Sequence, residues 1–510
     1  MTTTMTALLQ AASPQAPAIL GPGRPALDHG GLARLTEATR AMLAGIGIGP
    51  GDRVAIVLPN RPAMASAFVA IAQCATTAPL NQAYRAEEFD FYLGDLGAQA
   101  LVVAAGAESS AIAVAQARGC TILRLHEDPD GPAGAFRLEA EGSAQPAVAA
   151  TAPGPDDVAL VLHTSGTTSR PKIVPLTQAN LAASARHIGA TLQLGAEDRC
   201  FTVMPLFHIH GLIAGTLAPL ATGGSLTAPE GGFDALRFFR ELDGSGATWM
   251  TAVPTMYQAI LARAGRNREA LARAGLRLLR SSSASLPAQV MLELEQVFGC
   301  PVIESYGMTE AAHQMTSNPL PPAPRKPGSV GIAAGPEVRV CTAAGDMLPP
   351  GEEGEVVISG PNVTPGYEAN PSANAAAFFE HDGQRWFRTG DQGRMDEEGY
   401  LRITGRLKEI INRGGEKVSP LEVDEVVMDH PAVRQCVTFA MPHEKLGEEV
   451  AIAVVLRDGM TASEREIRDF AAARLVAFKV PRRVLILNEI PKGATGKLQR
   501  IGLAAKLGLG

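Results

Sequence analysis

Two loops of anion-binding type lie far apart in the chain, and their separation constrains the architecture more than any other feature. The upstream loop, LHTSGTTSRPK, runs from Leu162 to Lys172. The apolar run Val158 to His163 reads as a buried strand entering it. Thr164, Ser165, Gly166, Thr167 and Thr168 follow as a hydroxyl- and glycine-rich turn. Backbone N–H groups freed by glycine, with four hydroxyls, form a concave donor surface for phosphate oxygens, and Lys172 adds a point charge. The spacing is not that of a Walker A loop, since no G-x-x-x-x-G-K-[ST] occurs. The downstream loop, PKGATGKLQR, puts Lys497 on a tight turn near the C-terminus. A nucleotide loop in the body of the chain and a cationic tip at its far end predict two parts that close on one anion. Taken singly, each segment also reads as an ordinary polar surface loop.

A chain of 510 residues exceeds what one hydrophobic core organises, so two or more domains are expected. With 46% hydrophobic and 19% charged residues the composition is that of a soluble globular protein. The net charge of −7 and the lack of a Lys/Arg block argue against a nucleic-acid partner, so any nucleotide must be held by local groups. Cys74, Cys120, Cys200, Cys300, Cys341 and Cys436 are widely spaced with no C-x-x-C, which favours reduced, buried thiols in a cytoplasmic protein. No H-E-x-x-H metal spacing occurs. The start, MTTTMTALLQAASPQ, is not a secretory signal, and the closing LGLG is not a peroxisomal address. Pro62 to Tyr84 carries no charge, but its Ala, Ser, Thr, Gln and Pro79 predict a buried helix and turn rather than a membrane span.

Strand-like and helix-like segments alternate over roughly the first 400 residues. Arg53 to Leu58 reads as a strand, Ala63 to Ala75 as a helix and Ala100 to Ala104 as a strand. This alternation predicts an α/β fold with largely parallel sheets. The run GIGIGPG, Gly45 to Gly51, follows a helix and precedes a strand, which makes it a turn rather than a dinucleotide fingerprint. A domain change is expected near Gly405-Arg406-Leu407-Lys408, giving segments 1–407 and 408–510 with a hinge near Lys408. Beyond it, Ser419-Pro420-Leu421-Glu422 predicts a capping box opening a helix through Met428. Thr461-Ala462-Ser463-Glu464 predicts a second, for a helix ending near Leu475. Strands at Cys436 to Ala440 and Val450 to Leu456 lie between them, so the last hundred residues form a compact α+β unit.

Both anion loops, with the strings ESYGMTEAAH (from Glu304), WFRTGD (from Trp386), ITGRLKE around Arg406 and NRGGEK (from Asn412), resemble the adenylate-forming enzymes over nearly the whole chain. These include acyl-CoA synthetases, luciferases and peptide-synthetase adenylation domains. The resemblance implies a large N-terminal domain of layered α/β subdomains and a small mobile α+β C-terminal lid. It also implies ATP, Mg²⁺ and coenzyme A as reactants or cofactors, and a small carboxylic acid as substrate. On that basis Tyr306 with Gly307 would face adenine, Thr309 would bond the α-phosphate, and Glu310 would bind Mg²⁺. Ser283 and Ala284 would border the nucleotide, while Asp391 and Arg406 would hold the ribose. Gly414 and Gly415 would let the pantetheine arm pass close to the backbone, although the pair also reads as a plain surface hairpin. Lys497 would stabilise charge as a carboxylate attacks the α-phosphate, and would swing away about Lys408 before thiol attack.

The segments lining the acyl site in that family read here MPLFHIHGL, RSSSASLP and TEAAHQM. They bring His208, His210, Ser282 or Ser283, and His313 towards the carboxylate, a polar set that suits a short charged acid. HTSGTTSRPK, SNPLP, KPGSVG and GPNVTPGY resemble the oxalate–CoA ligase branch. Ile173 stands where that pattern has glycine. Oxalate is therefore the expected acid. Malonate, a short or medium-chain acid, or transfer to a carrier protein are the alternatives. No nucleic-acid or membrane partner is expected.

Overall fold

The computed structural model describes residues 3–141, 146–164, 171–491 and 498–509. The loop residues Ser165 to Thr168 and the tip Lys497 lie outside them.

A nine-stranded sheet forms the centre of the large part. Its parallel interior runs Val302–Met308, Leu278–Ser281, Trp249–Ala252, Arg199–Thr202, Ser225–Thr227 and Pro17–Leu20. Antiparallel strands close both edges, with His313–Ser317 beside Val302–Met308. These interior strands are short and largely buried on both faces, with polar side chains such as Thr251, Arg280 and Glu304 set among the apolar ones. A seven-stranded sheet carries Arg53–Val57, Thr76–Pro79 and Ala100–Ala104 in parallel, then the antiparallel pair Val158–Thr164 and Lys172–Thr177.

Arg53–Val57, Ala100–Ala104 and Val158–Thr164 fall where the sequence places them. The uncharged stretch after Pro62 is a helix, Pro62–Ala72, with every residue buried. It is followed by the strand Thr76–Pro79 rather than by a turn alone. Pro79 is tolerated because it is the last residue of that strand, where a missing N–H costs little. Ile173 lies one residue inside Lys172–Thr177, buried against the core, so glycine's backbone freedom is not used there. Its carbonyl accepts from Glu368 N at 3.1 Å.

The parallel interior expected of the large part is found in these two sheets, while a third sheet is antiparallel. Glu337–Cys341, Glu353–Ser359, Phe378–His381, Gln384–Met395 and Leu401–Arg406 form a five-stranded sheet whose pairings are all antiparallel. The turn around Gly383, at φ 74°, joins Phe378–His381 directly to Gln384–Met395, while the short helix Pro371–Ala377 lies between Glu353–Ser359 and Phe378–His381.

Past Arg406, a second five-stranded sheet joins Ile411–Arg413, Glu416–Val418, the long hairpin Val433–His443 with Gly447–Leu456, and Arg483–Ile486. The helix Pro420–Met428 starts at Ser419 as expected, but its box is half made. The Ser419 hydroxyl accepts from Glu422 N at 3.4 Å, while the Glu422 carboxylate takes Lys479 Nζ at 2.7 Å. The second box is displaced. Ser463 caps Glu464–Ala472 with Glu466 as its partner, and the helix stops short of Leu475. Here the acidic residue at the third helical position outcompetes the Thr461 alternative, because only it can reach back to the Ser463 N–H, at 2.7 Å. The small sheet meets the large part through Gln258, which bonds Arg434 O at 3.3 Å and Gln435 Nε2 at 3.1 Å. All six cysteines are buried and free. Among the described residues no helix is long and apolar enough to cross a membrane.

Candidate active site

The strand Val302–Met308 carries Tyr306 and Gly307 at its C-terminal end. A single 3₁₀ turn, Thr309–Ala311, then reverses the chain into His313–Ser317. The reversal is tight. Ala312 and His313 hold φ of 47° and 102°, and a Cβ on Gly307 would lie 1.7 Å from the His313 carbonyl oxygen. Neighbouring side chains clamp the turn. Ser184 Oγ donates to Ala312 O at 2.6 Å, Thr364 N to Glu310 O at 2.7 Å, and Asn362 Nδ2 to Ala311 O at 2.8 Å and Gln314 O at 3.0 Å. The string GPNVTPGY is thus the brace that fixes the strained turn, which independent strands could not hold alone.

Three residues distant in sequence meet beside this turn. The Tyr306 hydroxyl donates to Asp391 Oδ2, and Arg406 Nε donates to Asp391 Oδ1 at 2.8 Å. Asp391 and Arg406 are opposite one another in adjacent antiparallel strands, which is why they pair. The Asp391 charge holds the Arg406 guanidinium above its ordinary range, and burial together with Asp391 pushes the Tyr306 phenol up.

A second group lies at the mouth of the upstream loop, where Thr164 and Lys172 are register partners. Lys172 Nζ sits 4.2 Å from the ring centroid of Tyr367, whose hydroxyl donates to Glu310 Oε1 at 2.9 Å. Burial raises the Glu310 carboxyl above the carboxylate range. Burial also depresses the Lys172 amine, with Glu310 opposing that shift and Lys408 reinforcing it. One buried carboxylate with an oxygen beyond the Tyr367 bond fits Mg²⁺, which takes few protein carboxylates and completes its shell with phosphate oxygens and water. No cluster of three acidic, His or Cys side chains competes for a metal among the described residues. A cleft at Thr309 is bounded by Asn81, Tyr84, Tyr92, His163 and His208.

The residues that the sequence expects around the acid form a third group. The chain from Met204 turns through Pro205 into a π-helical segment, His210–Leu217, that starts at His210. A Cβ on Gly211 would meet Pro205 O at 2.4 Å, so glycine lets this turn close. His210 Nδ1 lies 3.1 Å from Ser283 Oγ, and its ring stacks on His313 with centroids 4.7 Å apart. Ser283 holds φ of 72°. The Ser282 hydroxyl is committed to Ser305 O at 2.9 Å, which leaves Ser283 as the serine beside the histidines. Ala284 follows it, exposed.

Arg280, absent from the sequence reading, anchors this region. It is fully buried and has no carboxylate partner among the described residues. Its Nη1 contacts His313 Nε2 at 3.0 Å, Thr251 Oγ1 at 3.2 Å and His210 Nε2 at 3.5 Å, while Nη2 donates to Gln314 Oε1 at 3.2 Å. Burial lowers its guanidinium to about 10, still protonated at neutral pH. The run Leu278-Leu279-Arg280 before five small residues was the available signal, because a charge inside a buried parallel strand is rare without purpose. Gly414 and Gly415 sit at the tip of the hairpin Ile411–Arg413 to Glu416–Val418, exposed and at φ of 58° and 97°.

The AMP-binding enzyme model matches residues 9–368, and its C-terminal domain model matches residues 422–497. An oxalate–CoA ligase of Arabidopsis thaliana is 45% identical over 93% of this chain and 92% of that protein. One of Saccharomyces cerevisiae is 40% identical over 88% and 86%. The crystal structure of ATP-bound MatB from Rhodopseudomonas palustris superposes with a TM-score of 0.85 at 30% identity, covering 98% of this chain and 97% of that one.

Proposed function

We propose that this chain, which belongs to the AMP-binding enzyme family, joins oxalate to coenzyme A. It is an ATP-dependent, AMP-forming acid–CoA ligase. The observation that carries the choice of acid is the polar set of buried His210, His313 and Arg280 with half-buried Ser283, which holds a cation and no carboxylate among the described residues. An alkyl or aryl acyl group placed there would leave the Arg280 charge uncompensated and the Ser283 hydroxyl without an acceptor, at about 1–3 kcal/mol for each. A second carboxylate satisfies them through charge-assisted hydrogen bonds.

In the first step a substrate carboxylate oxygen attacks the α-phosphorus of ATP, and the bond to pyrophosphate breaks. Asp391 and Arg406 hold the ribose, the Tyr306 ring faces the base, and Thr309, Lys172 and the upstream loop hold phosphate oxygens. Glu310 would hold Mg²⁺, which would supply charge neutralisation on the phosphates. Lys497 adds positive charge where the two anions meet. In the second step segment 408–510 turns about Lys408 and carries Lys497 away. The thiol of coenzyme A, passing the Gly414-Gly415 turn, then attacks the acyl carbon, and AMP leaves with the electron pair of the broken C–O bond. Closure keeps the reactive adenylate from water between the steps. His313→Ala tests the acid assignment. The KM for oxalate should rise about tenfold or more while the KM for ATP changes little. Equal change in both would remove His313 from the acid site.

A further inference from the structure

The hydrogen bonds around Arg280 leave little freedom in where the protons lie. A guanidinium only donates. His313 Nε2, 3.0 Å from Nη1, must therefore accept, so the proton of that ring sits on Nδ1. The other Nη1 proton goes to Thr251 Oγ1 at 3.2 Å. Thr251 stands beside Arg280 in register on the adjacent parallel strand, which fixes the pairing. His210 Nε2 is 2.6 Å from the same hydroxyl and also lies 3.5 Å from the guanidinium. A proton on that nitrogen would point at the cation, so the Thr251 hydroxyl donates and His210 Nε2 accepts. His210 then carries its proton on Nδ1 and donates to Ser283 Oγ at 3.1 Å, which turns the Ser283 hydroxyl proton outward.

The orientation of Arg280 is itself locked. Its Nη2 donates to Gln314 Oε1, and the amide of Gln314 is held by Thr191 Oγ1 and Ala334 O, both at 3.1 Å. The Arg280 carbonyl accepts from the Tyr257 hydroxyl at 2.8 Å. The other ionisable groups against the guanidinium are Tyr257 and Cys200, both uncharged at neutral pH because burial raises them. No anion of the described residues neutralises Arg280, and its Nε has no partner among them.

We infer that Arg280 is the positioning residue of the acid site, which fixes His313 directly and His210 through Thr251 as neutral Nδ1–H tautomers, so that Ser283 presents a proton to an anionic substrate. The histidines act as oriented neutral donors, and the positive charge that attracts the acid resides on Arg280. Arg280 acts through other side chains and need not touch the acid. The role of the relay in substrate recognition rests on the acid–CoA ligase reading, but the tautomers do not.

The test uses the full-length protein labelled with ring-¹⁵N histidine, with His210→Gln and His313→Gln to assign the signals. Both histidines should show the proton on Nδ1 and remain neutral from about pH 6 to about pH 8. Thr251→Val should release His210 alone and leave His313 fixed. Arg280→Met should release both and raise the KM for oxalate at least about tenfold, with the KM for ATP unchanged. Arg280→Lys, which restores one donor and the charge, should recover part of both effects. A proton on Nε2 of either ring in the unaltered protein, or an unchanged His210 signal in Thr251→Val, overturns the inference. If the tautomers are as inferred but oxalate is not a substrate, the acid assignment fails and the relay stands.

Discussion

Glu310→Gln separates the proposed metal role of this residue from its place in the core. The substitution keeps the shape and an acceptor for the Tyr367 hydroxyl, now 2.9 Å from Oε1, and removes one charge. Burial raises the Glu310 carboxyl, so ionised Glu310 costs folding energy at neutral pH. A raised carboxyl contributes stability that is present below its unfolded value and lost as pH rises through the folded one. Removing the charge removes that loss, while Lys172 loses a favourable neighbour. The two effects oppose, and stability at pH 7 should stay within about 1 kcal/mol of the parent. Catalysis should not be spared. Removing the one carboxylate suited to the metal should slow oxalate-dependent pyrophosphate exchange about 100-fold, equivalent to about 2.7 kcal/mol. Part of this should return at high Mg²⁺. The assays are thermal unfolding and ATP–pyrophosphate exchange over a Mg²⁺ titration. Unchanged exchange at ordinary Mg²⁺, or a parallel collapse of stability and exchange, would refute the assignment and leave Glu310 a structural residue of the turn.

Lys497→Ala should slow adenylate formation by about 3 kcal/mol of transition-state stabilisation or more, yet leave thioester formation from supplied oxalyl-adenylate intact. Equal loss in both half-reactions would contradict the swing about Lys408. Glu304 is buried, with Oε1 accepting from Leu286 N at 2.9 Å and Oε2 without a hydrogen-bond partner among the described residues, and burial pushes its carboxyl from 4.5 up to about 8. The folded state therefore holds this proton more firmly than the unfolded chain, so stability falls between those two pH values. Glu304→Gln should flatten this fall, gaining about 2–4 kcal/mol on the parent between the acid and alkaline ends in a denaturation series. Parallel pH profiles would show that Glu304 is already ionised in the folded protein.

The motifs place Tyr306, Asp391 and Arg406 in one site although 85 residues separate the first pair, because each lies at a strand end or in register with its partner. The neutral stretch after Pro62 hid the strand Thr76–Pro79, since four small residues carry no alternation to read. The antiparallel sheet from Glu337 to Arg406 was obscured for a related reason: short strands joined by tight turns resemble the intervals of an α/β repeat when only apolar runs are followed. Arg280 and Thr251 escaped notice because their meaning comes from parallel register between strands that are not hairpin neighbours. Tyr367 was seen only as the end of a string. Its place between Lys172 and Glu310 follows from the fold of the brace around the strained turn, which no local spacing encodes.

Acid preference is the most direct measurement. AMP and thioester formation should be followed with oxalate, malonate, acetate, hexanoate and coumarate side by side, at equal ATP, Mg²⁺ and coenzyme A. The buried donors around Arg280 require oxalate to give the highest kcat/KM, malonate to follow, and acetate to fall at least about 100-fold behind oxalate for want of a second carboxylate. A preference for hexanoate or coumarate would contradict the assignment of His210, Ser283, His313 and Arg280 as an anion site.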